Sequence, residues 1–174
     1  MGQHNAEFYI SSLGLIAHPE GGYFKETFRS EVELSANALP AHFGGMRSAS
    51  TAIYFLLTTA RASSFHRIES DEVWHFYAGD PLEVFGIHPD GRLEVWLLGG
   101  PETEGASFQA TVPAGIWFGS AVKNTGDPNS DHFSLCGCTV APGFDFDGFE
   151  LADRQGLLAE FPQHADLITK LTTG

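Results

Sequence analysis

The sequence predicts an all-β domain, a sandwich or a barrel, on three observations. Short apolar or alternating segments recur about every ten residues. Glycine and proline separate these segments, and helical spacing is confined to the two ends of the chain. The composition agrees, because 20 glycines and 9 prolines supply turns and 15 phenylalanines supply an aromatic core. With 174 residues and no internal repeat or linker, residues 1–174 are predicted to form a single domain.

The first third of the chain begins with a predicted helix over residues 5–13, which Asn5 caps and Gly14 ends. A turn follows at residues 18–22, where Glu20 is expected to cap its own turn. Residues 23–29 alternate in polarity like a strand. Residues 30–46 show no period and are interpreted as a long loop, a length that is often functional or mobile.

Turn residues divide the rest of the chain into short strands and a terminal helical region. The sequence His88-Pro89-Asp90-Gly91 gives the strongest hairpin signal. A polar loop is expected at 124–131, and the helical spacing of the tail is broken by Pro162. The other predicted segments are strands at 50–58, two within 65–80, then 81–87, 92–98, 106–112, 115–122 and 132–140, a short amphipathic piece at 144–147, and a tail with helical spacing at 152–171.

Charge and composition exclude several classes of partner. The net charge of -13 argues against binding to DNA or RNA polymers, although one small anion held by a local basic cluster is compatible with it. No apolar run approaches the length of a membrane span, and the N-terminus has no signal-peptide pattern. Cys136 and Cys138 lie two residues apart and are expected to be buried free thiols. A soluble cytoplasmic protein is therefore expected, without membrane or nucleic-acid partners.

Residues 65–80 carry the main candidate site. They are predicted to form two strands joined by a polar turn, with a histidine on the first and a carboxylate on the second. Because side chains alternate along a strand, His66 shares a face with Ile68, and Glu72 shares one with Trp74 and Phe76. If both faces line one barrel, an imidazole and a carboxylate meet beside aromatic walls, which is typical of a ligand site.

The spacing in this stretch resembles the first cupin motif, in which His-x-His is followed by Glu and then, after six residues, by Gly. His66, Glu72 and Gly79 match, but Ile68 takes the second histidine position. The second cupin motif is matched by the Pro-x-Gly turn at 113–115, and Phe118 replaces its final histidine. Two of the four metal ligands remain, so no cofactor is expected. The alternative is a weakly held divalent metal on His66 and Glu72.

Without a metal, two interpretations of this pair stay open. Glu72 would stabilise a protonated His66 and raise its pKa, so that the pair performs general acid–base chemistry. Alternatively, the pair forms a structural hydrogen bond in a barrel that binds its ligand passively. His75 would join the site only through a β-bulge, since alternation places it opposite Glu72.

Five stretches in order along the chain resemble an uncharacterised cupin-like family. This resemblance implies a double-stranded β-helix (a jelly roll, or cupin barrel), here with short terminal helices, and commonly a homodimer. It brings no established reaction. The matching stretches are residues 18–26, Arg47 with 50–57, the 65–80 stretch, 112–115 with Trp117, and 137–144.

Residues 21–28 are also similar to a strand of the nucleotide-sugar 3,5-epimerases of rhamnose synthesis. That resemblance implies that Phe24 and Glu26 contact the base or ribose, and that the strand crosses to the partner subunit. The epimerase arginine falls at Gly21, so Arg47, Lys25 or Arg29 would have to replace its phosphate contact. These enzymes use a histidine base with a carboxylate partner and no metal, roles that His66 and Glu72 would take.

The leading hypothesis is a homodimeric cupin that binds a nucleotide or nucleotide-sugar-like molecule and isomerises or epimerises a sugar. Its catalytic residues would be His66 and Glu72. The alternatives are a non-catalytic nucleotide or metabolite binder, and a metal-dependent cupin with an incomplete ligand set. The predicted ligand-binding residues are Tyr23, Phe24, Lys25, Glu26, Arg47, Tyr54, Trp74, His75 and Trp117.

Overall fold

Two antiparallel sheets form the body of the protein, whose structure is a computed structural model that describes residues 4–123 and 132–173. The six-stranded sheet has the spatial order β1 (Ile16–Ala17), β2 (Tyr23–Arg29), β5 (Thr51–Thr58), β12 (Phe133–Ala141), β7 (Asp71–Gly79) and β10 (Gln109–Val112). The five-stranded sheet has the order β13 (Phe149–Leu151), β6 (Ser63–Ile68), β11 (Trp117–Val122), β8 (Leu82–Ile87) and β9 (Leu93–Leu98). A separate pair joins β3 (Glu33–Leu34) to β4 (Arg47–Ser48).

The main core lies between the two large sheets and is built by alternation along their strands. Trp74 and Phe55 from the six-stranded sheet pack in one cluster with Phe118 and Val84 from the five-stranded sheet. These inward residues are at most 2% exposed. Burying so many large apolar side chains between two sheets is what holds a β-sandwich or barrel together. The prediction of an all-β jelly roll is therefore confirmed.

Short helices cover the outer faces of the sheets. Helix α1 (Ala6–Leu13) begins where the Asn5 side chain accepts a hydrogen bond from the Phe8 amide, and it ends at Gly14, whose φ is 65°. Both boundaries agree with the sequence, since glycine adopts the left-handed conformation without strain. Helices α2 (Arg154–Glu160) and α3 (Ala165–Lys170) pack on the outside of the five-stranded sheet. No helix of the described residues is long and apolar enough to cross a membrane.

The structure departs from the sequence-based expectations most clearly in three segments. The 30–46 loop contains β3 and a 3-10 turn at Ala36–Ala38. The strand predicted to begin at residue 106 begins at Gln109. The piece expected to be extended contains a 3-10 turn at Phe146–Gly148, because the Asp145 side chain accepts a hydrogen bond from the Asp147 amide. The polar loop expected at 124–131 lies outside the described residues.

Candidate functional site

A cavity of about 80 Å³ opens between the two large sheets and combines apolar walls with several titratable side chains. The titratable residues at its inner end are His18, Glu20, His66 and Glu72. The other lining residues are Phe24, Glu26, Arg29, Thr51, Ile53, Phe55, Ile68, Cys138, Val140, Phe144 and Phe146. The predicted catalytic pair therefore does meet in one cavity, but two further residues from the N-terminal turn join it.

The turn before β2 directs Glu20 into the barrel. Gly21 has a φ of 116°, and a Cβ atom there would lie 2.0 Å from the Ala62 carbonyl oxygen, so only glycine fits this close approach. The Ser64 amide donates to the Glu20 carbonyl oxygen at 2.8 Å, which ties the turn to β6. The Glu20 residue is consequently only 7% exposed. The expectation that its side chain caps the turn is wrong.

His66 has a fixed tautomer and a carboxyl partner. Its Nδ1 atom lies 2.8 Å from the Ser64 carbonyl oxygen, which can only accept, so Nδ1 carries a proton. Its Nε2 atom lies 3.3 Å from Glu20 Oε2. The other oxygen, Glu20 Oε1, accepts a hydrogen bond from Ser63 at 2.9 Å. One proton can therefore pass between the imidazole and the Glu20 carboxyl group within this contact.

Burial favours the neutral form of every member of this cluster. It raises the pKa of Glu20 and the pKa of Glu72 to about 7 each. His66 acts in the opposite direction on Glu72, as do the adjoining groups of Cys138 and Trp74. The pKa of His66 is lowered, chiefly by burial, although the charge of Glu72 acts to raise it. The expectation that Glu72 raises the pKa of His66 is thus outweighed by desolvation.

His18 completes the cluster as a neutral imidazole. Its Nδ1 atom accepts a hydrogen bond from the Glu20 amide at 3.3 Å, which leaves the proton on Nε2. Its ring packs edge-on against Phe24 at 4.5 Å and lies nearly parallel to Phe146 at 6.2 Å. Burial, with a contribution from His66, lowers the pKa of His18. His18 therefore links the acidic cluster to the aromatic wall.

This arrangement is suited to moving protons near neutral pH. A carboxyl group with a pKa of about 7 is an effective general acid or base at that pH, because both of its protonation states are populated. Buried imidazoles and carboxyls with shifted pKa values in one cavity are also common in catalytic sites. A structural ion pair would instead keep its members charged.

The residues at the other two cupin ligand positions do not suit a metal. Ile68 lines the cavity with an apolar side chain. Phe118 pairs directly with His66 across the two strands, and their ring centroids are 4.1 Å apart. Tight transition-metal sites in proteins usually have three or more side-chain ligands. Within residues 4–123 and 132–173, no group of three or more histidine, cysteine, aspartate or glutamate side chains is arranged to hold a metal ion.

The mouth of the cavity carries one arginine that is already engaged. Arg29 donates to both carboxylate oxygens of Glu26, at 3.1 and 2.7 Å. It also donates to the Phe144 carbonyl oxygen at 3.1 Å, so it joins β2 to the segment after β12. Phe24 and Phe146 flank this pair. The mouth thus offers aromatic surface, a carboxylate and a guanidinium.

Two of the predicted ligand-binding residues, Phe24 and Glu26, line this cavity, and the others lie elsewhere. Arg47 forms a partly buried ion pair with Glu69 at 2.8 Å, and Trp74 is a core residue that is 1% exposed. Trp117 packs with the cluster under α2 and α3. The remaining ones project from the other face of the six-stranded sheet and are Tyr23, Lys25, Tyr54 and His75.

His18, Glu20 and Cys138 are the site residues that sequence reasoning missed. Cys138 was assigned only a buried position. The available signal for the other two was the turn sequence His18-Pro19-Glu20-Gly21-Gly22, in which two glycines follow a carboxylate. Paired glycines often mark a close backbone approach, and that approach is what turns Glu20 inward.

A jelly-roll barrel with a histidine and a glutamate from the first motif inside it defines a cupin. The chain belongs to the cupin superfamily family DUF985, whose model matches residues 7–152. It is 34% identical over 146 residues to the uncharacterized protein YML079W of Saccharomyces cerevisiae, covering 79% of this chain and 70% of the yeast protein.

Solved structures share this fold over most of the chain. Protein SO0799 from Shewanella oneidensis is 40% identical, with a TM-score of 0.85, and the match covers 98% of this chain and 99% of that one. A hypothetical protein from Leishmania major is 36% identical, with a TM-score of 0.88 and coverage of 98% and 100%. Oxalate decarboxylase from Bacillus subtilis shares the fold alone, at 13% identity and a TM-score of 0.52 over 36% of its chain.

Proposed function

We propose that this cupin binds a nucleotide-sugar-like molecule at its barrel and isomerises or epimerises the sugar by metal-independent acid–base chemistry. The observation that carries the proposal is the buried contact between His66 and Glu20, with Glu72 beside it, at the end of an apolar cavity. Burying these three titratable groups destabilises the fold, but it favours their neutral forms and so suits them to proton transfer. The homodimer stays a prediction.

In this proposal, His66 is the base. Its Nε2 lone pair takes a proton from a carbon next to a carbonyl group, and the C–H electrons form a carbon–carbon double bond. The carbonyl π electrons move to oxygen, which takes the proton of the neutral Glu72 carboxyl group. Water admitted through the mouth protonates the same carbon from its other face, while the enol O–H proton returns to Glu72 as the carbonyl re-forms, and this gives the epimer. His66 then passes its proton through Glu20 to the hydroxide that the water leaves.

The size of the cavity limits what lies inside it. Sites that enclose a whole drug-sized ligand have volumes of about 300–1,000 Å³. A cavity of about 80 Å³ therefore holds only the reacting part of such a ligand. The nucleotide would lie at the mouth, where Phe24 offers a ring for stacking and Glu26 offers a carboxylate for ribose hydroxyls. Of the three predicted phosphate contacts, only Arg29 lines this mouth.

Arg29 can bind a phosphate group of the ligand only if that group displaces the Glu26 carboxylate from the guanidinium. The Arg29 side chain is 40% exposed, so its pair with Glu26 is a surface ion pair of low net energy. A phosphate group carries more charge than a carboxylate and binds the guanidinium fork in the same geometry. Exchange of one partner for the other is therefore energetically accessible. This exchange would also release Glu26 to contact ribose hydroxyls.

The experiment is a thermal-shift screen of nucleotides and nucleotide sugars, followed by NMR of each stabilising ligand in D₂O. A ligand at 100 times its Kd stabilises the fold by about 2.7 kcal/mol, which raises the Tm by several degrees. We expect deuterium to enter the sugar with wild-type protein and with the His75→Gln control. The rate with His66→Gln should fall by at least about 100-fold while binding is kept.

Each outcome separates the proposal from an alternative. A Tm shift without deuterium exchange across the panel would identify a non-catalytic binder. No shift with any nucleotide or nucleotide sugar, together with a shift on adding a divalent metal, would overturn the proposal in favour of metal-dependent chemistry. Full turnover by His66→Gln would remove His66 from the reaction.

A further inference from the structure

A second and larger cleft lies on the outer side of the turn that carries Glu20. It has a volume of about 630 Å³, against about 80 Å³ for the barrel cavity. Its walls are the 18–21 turn, the 58–62 turn between β5 and β6, and the C-terminal residues 170–173. A volume of this size is in the range that encloses a small organic ligand. Nothing in the acid–base chemistry of the barrel uses this cleft.

Backbone hydrogen bonds hold the three walls in place around β6. The Ser64 amide donates to the Glu20 carbonyl oxygen at 2.8 Å, and the Phe65 amide donates to the Leu171 carbonyl oxygen at 2.7 Å. Thr58 and Arg61 exchange backbone hydrogen bonds of 3.2 and 3.0 Å across the turn between β5 and β6. The cleft is therefore formed before any ligand arrives, which lowers the entropy cost of binding.

The cleft carries two cations in an otherwise acidic protein. Arg61 and Lys170 both line it, and neither forms a salt bridge with any described residue. The arginines of the sheets and hairpin do have carboxylate partners, namely Arg29, Arg47, Arg67 and Arg92. With 22 acidic residues against 9 basic ones, two cations without an acidic partner on one cleft point to an external anion.

Arg61 is held in a position to meet such an anion. Its guanidinium carbon lies 5.1 Å from the centroid of the Tyr23 ring, a cation–π contact that leaves the edge N–H groups free. Hydroxyl groups complete the lining, from Thr58, Thr59 and Thr173. Such groups donate to or accept from the oxygens of a phosphorylated metabolite.

We propose that this cleft binds a small organic phosphate, with Arg61 and Lys170 on the phosphate group and the threonine hydroxyls on the body of the ligand. A phosphate monoester carries a charge of about -1.5 to -2 at neutral pH, which two cations balance. The planar fork of Arg61 matches two phosphate oxygens. The overall charge of the protein is not an obstacle, because exposed charges beyond about 8 Å are screened at physiological salt.

The cleft and the barrel cavity share one wall, but most of their lining residues differ. His18 and Glu20 line both the cleft and the cavity. Burial favours the protonated form of Glu20, which tolerates a nearby anion, whereas the ionised form would repel it. His66 and Glu72 line only the barrel cavity. Substitutions at Arg61 and Lys170 therefore test the cleft and leave the barrel cluster as it is.

The test is an NMR titration of ¹⁵N-labelled protein with glycerol 3-phosphate and, separately, with inorganic phosphate. We expect saturable shifts of the amides in 58–64 and 170–173, with glycerol 3-phosphate binding more tightly than inorganic phosphate. The double variant R61Q/K170Q should weaken binding at least about tenfold, since each lost charge-assisted hydrogen bond is worth that much or more. The matched control R92Q, which removes an exposed arginine on the β8–β9 hairpin, should bind like wild type.

Two results would overturn the inference. The first is that neither phosphate compound binds saturably, even when its concentration reaches 50 times that of the protein and high millimolar levels. The second is binding that R61Q/K170Q leaves unchanged, or shifts confined to residues of the barrel cavity. A circular-dichroism melt of each variant verifies that the fold is retained. Neither result bears on deuterium exchange in the barrel, so the two proposals fail separately.

Discussion

Replacing Glu72 with glutamine should stabilise the fold increasingly as the pH rises. Burial raises the pKa of this carboxyl group from 4.5 to about 7, so ionising it in the folded protein is unfavourable. Each pKa unit corresponds to 1.36 kcal/mol, which gives a total penalty of about 3 kcal/mol for the ionised group. Glutamine keeps the shape of the neutral acid and cannot ionise. The variant therefore lacks this penalty.

The sign and the pH range follow from linkage. Below about pH 4.5, Glu72 is protonated in both the folded and the unfolded protein, and no penalty exists. Between pH 4.5 and 7 the unfolded chain ionises while the folded protein stays protonated, so the relative stability of the wild type falls. Above pH 7 the folded protein ionises as well and the penalty is constant. Between pH 5.5 and 8.0 the change amounts to about 2 kcal/mol.

Urea unfolding of wild type and Glu72→Gln at several pH values between 5.5 and 8.0 measures this directly. This range stays above the sequence pI of about 4.8, where solubility is lowest. The difference in the free energy of unfolding should grow by about 2 kcal/mol in favour of the variant. Glu33→Gln, an exposed carboxylate, is the control and should change stability by less than about 0.5 kcal/mol. A difference for Glu72→Gln that is constant within that margin would refute the reasoning.

Three further predictions test the site and the core around it. Gly21→Ala should destabilise the fold by about 3 kcal/mol or more in urea, because its Cβ atom would lie 2.0 Å from the Ala62 carbonyl oxygen. The double variant I68H/F118H restores the two missing cupin ligands and should bind one divalent transition-metal ion per chain, measured by elemental analysis after dialysis. Native Cys136 should react with a thiol reagent far more slowly than after unfolding, because burial raises its pKa to about 12.

Each of these three predictions has a control experiment whose result could contradict it. Gly105→Ala also has a positive φ, of 76°, but open space around its Cβ atom, and should cost only about 1 kcal/mol. An equal loss at both glycines would exclude the close approach as the cause. Adding His66→Ala to I68H/F118H should release the metal; an ion that stays bound lies elsewhere. Equal thiol reactivity in native and unfolded protein would contradict the burial of Cys136.

The sheet architecture follows from local patterns, which is why it could be predicted. Strand β5 is apolar along most of its length, and the hairpin at Gly91 has the turn residues that its φ of 81° requires. The segment around Phe146 was predicted to be extended but forms a tight turn. The reason is equally local, since the Asp145 side chain caps that turn. Strand β13 is set by its pairing with β6, which no local pattern encodes.

The site was predicted only where alternation and motif spacing could find it. His66 and Glu72 lie on neighbouring segments, and their inward orientation follows from parity within each strand. Glu20 joins them through its contact with His66, which lies 46 positions further along the chain. The sequence of the Glu20 turn is typical of a solvent-exposed turn. The direction of the His66 pKa shift also depends on burial, which spacing does not give. Tertiary desolvation thus reversed an inference made from charge alone.

The two apolar substitutions in the cupin motifs change the chemistry of this barrel in a connected way. Ile68 and Phe118 take the places of two metal ligands; Ile68 lines the cavity, and the Phe118 ring packs against His66. Apolar side chains at these positions add to the burial that raises the pKa of Glu20 and of Glu72 to about 7. The two substitutions that disfavour a metal are therefore compatible with carboxyl groups that transfer protons at neutral pH. Restoring both histidines should accordingly bring in a metal and lower the carboxyl pKa values together, since the ion favours their ionised forms.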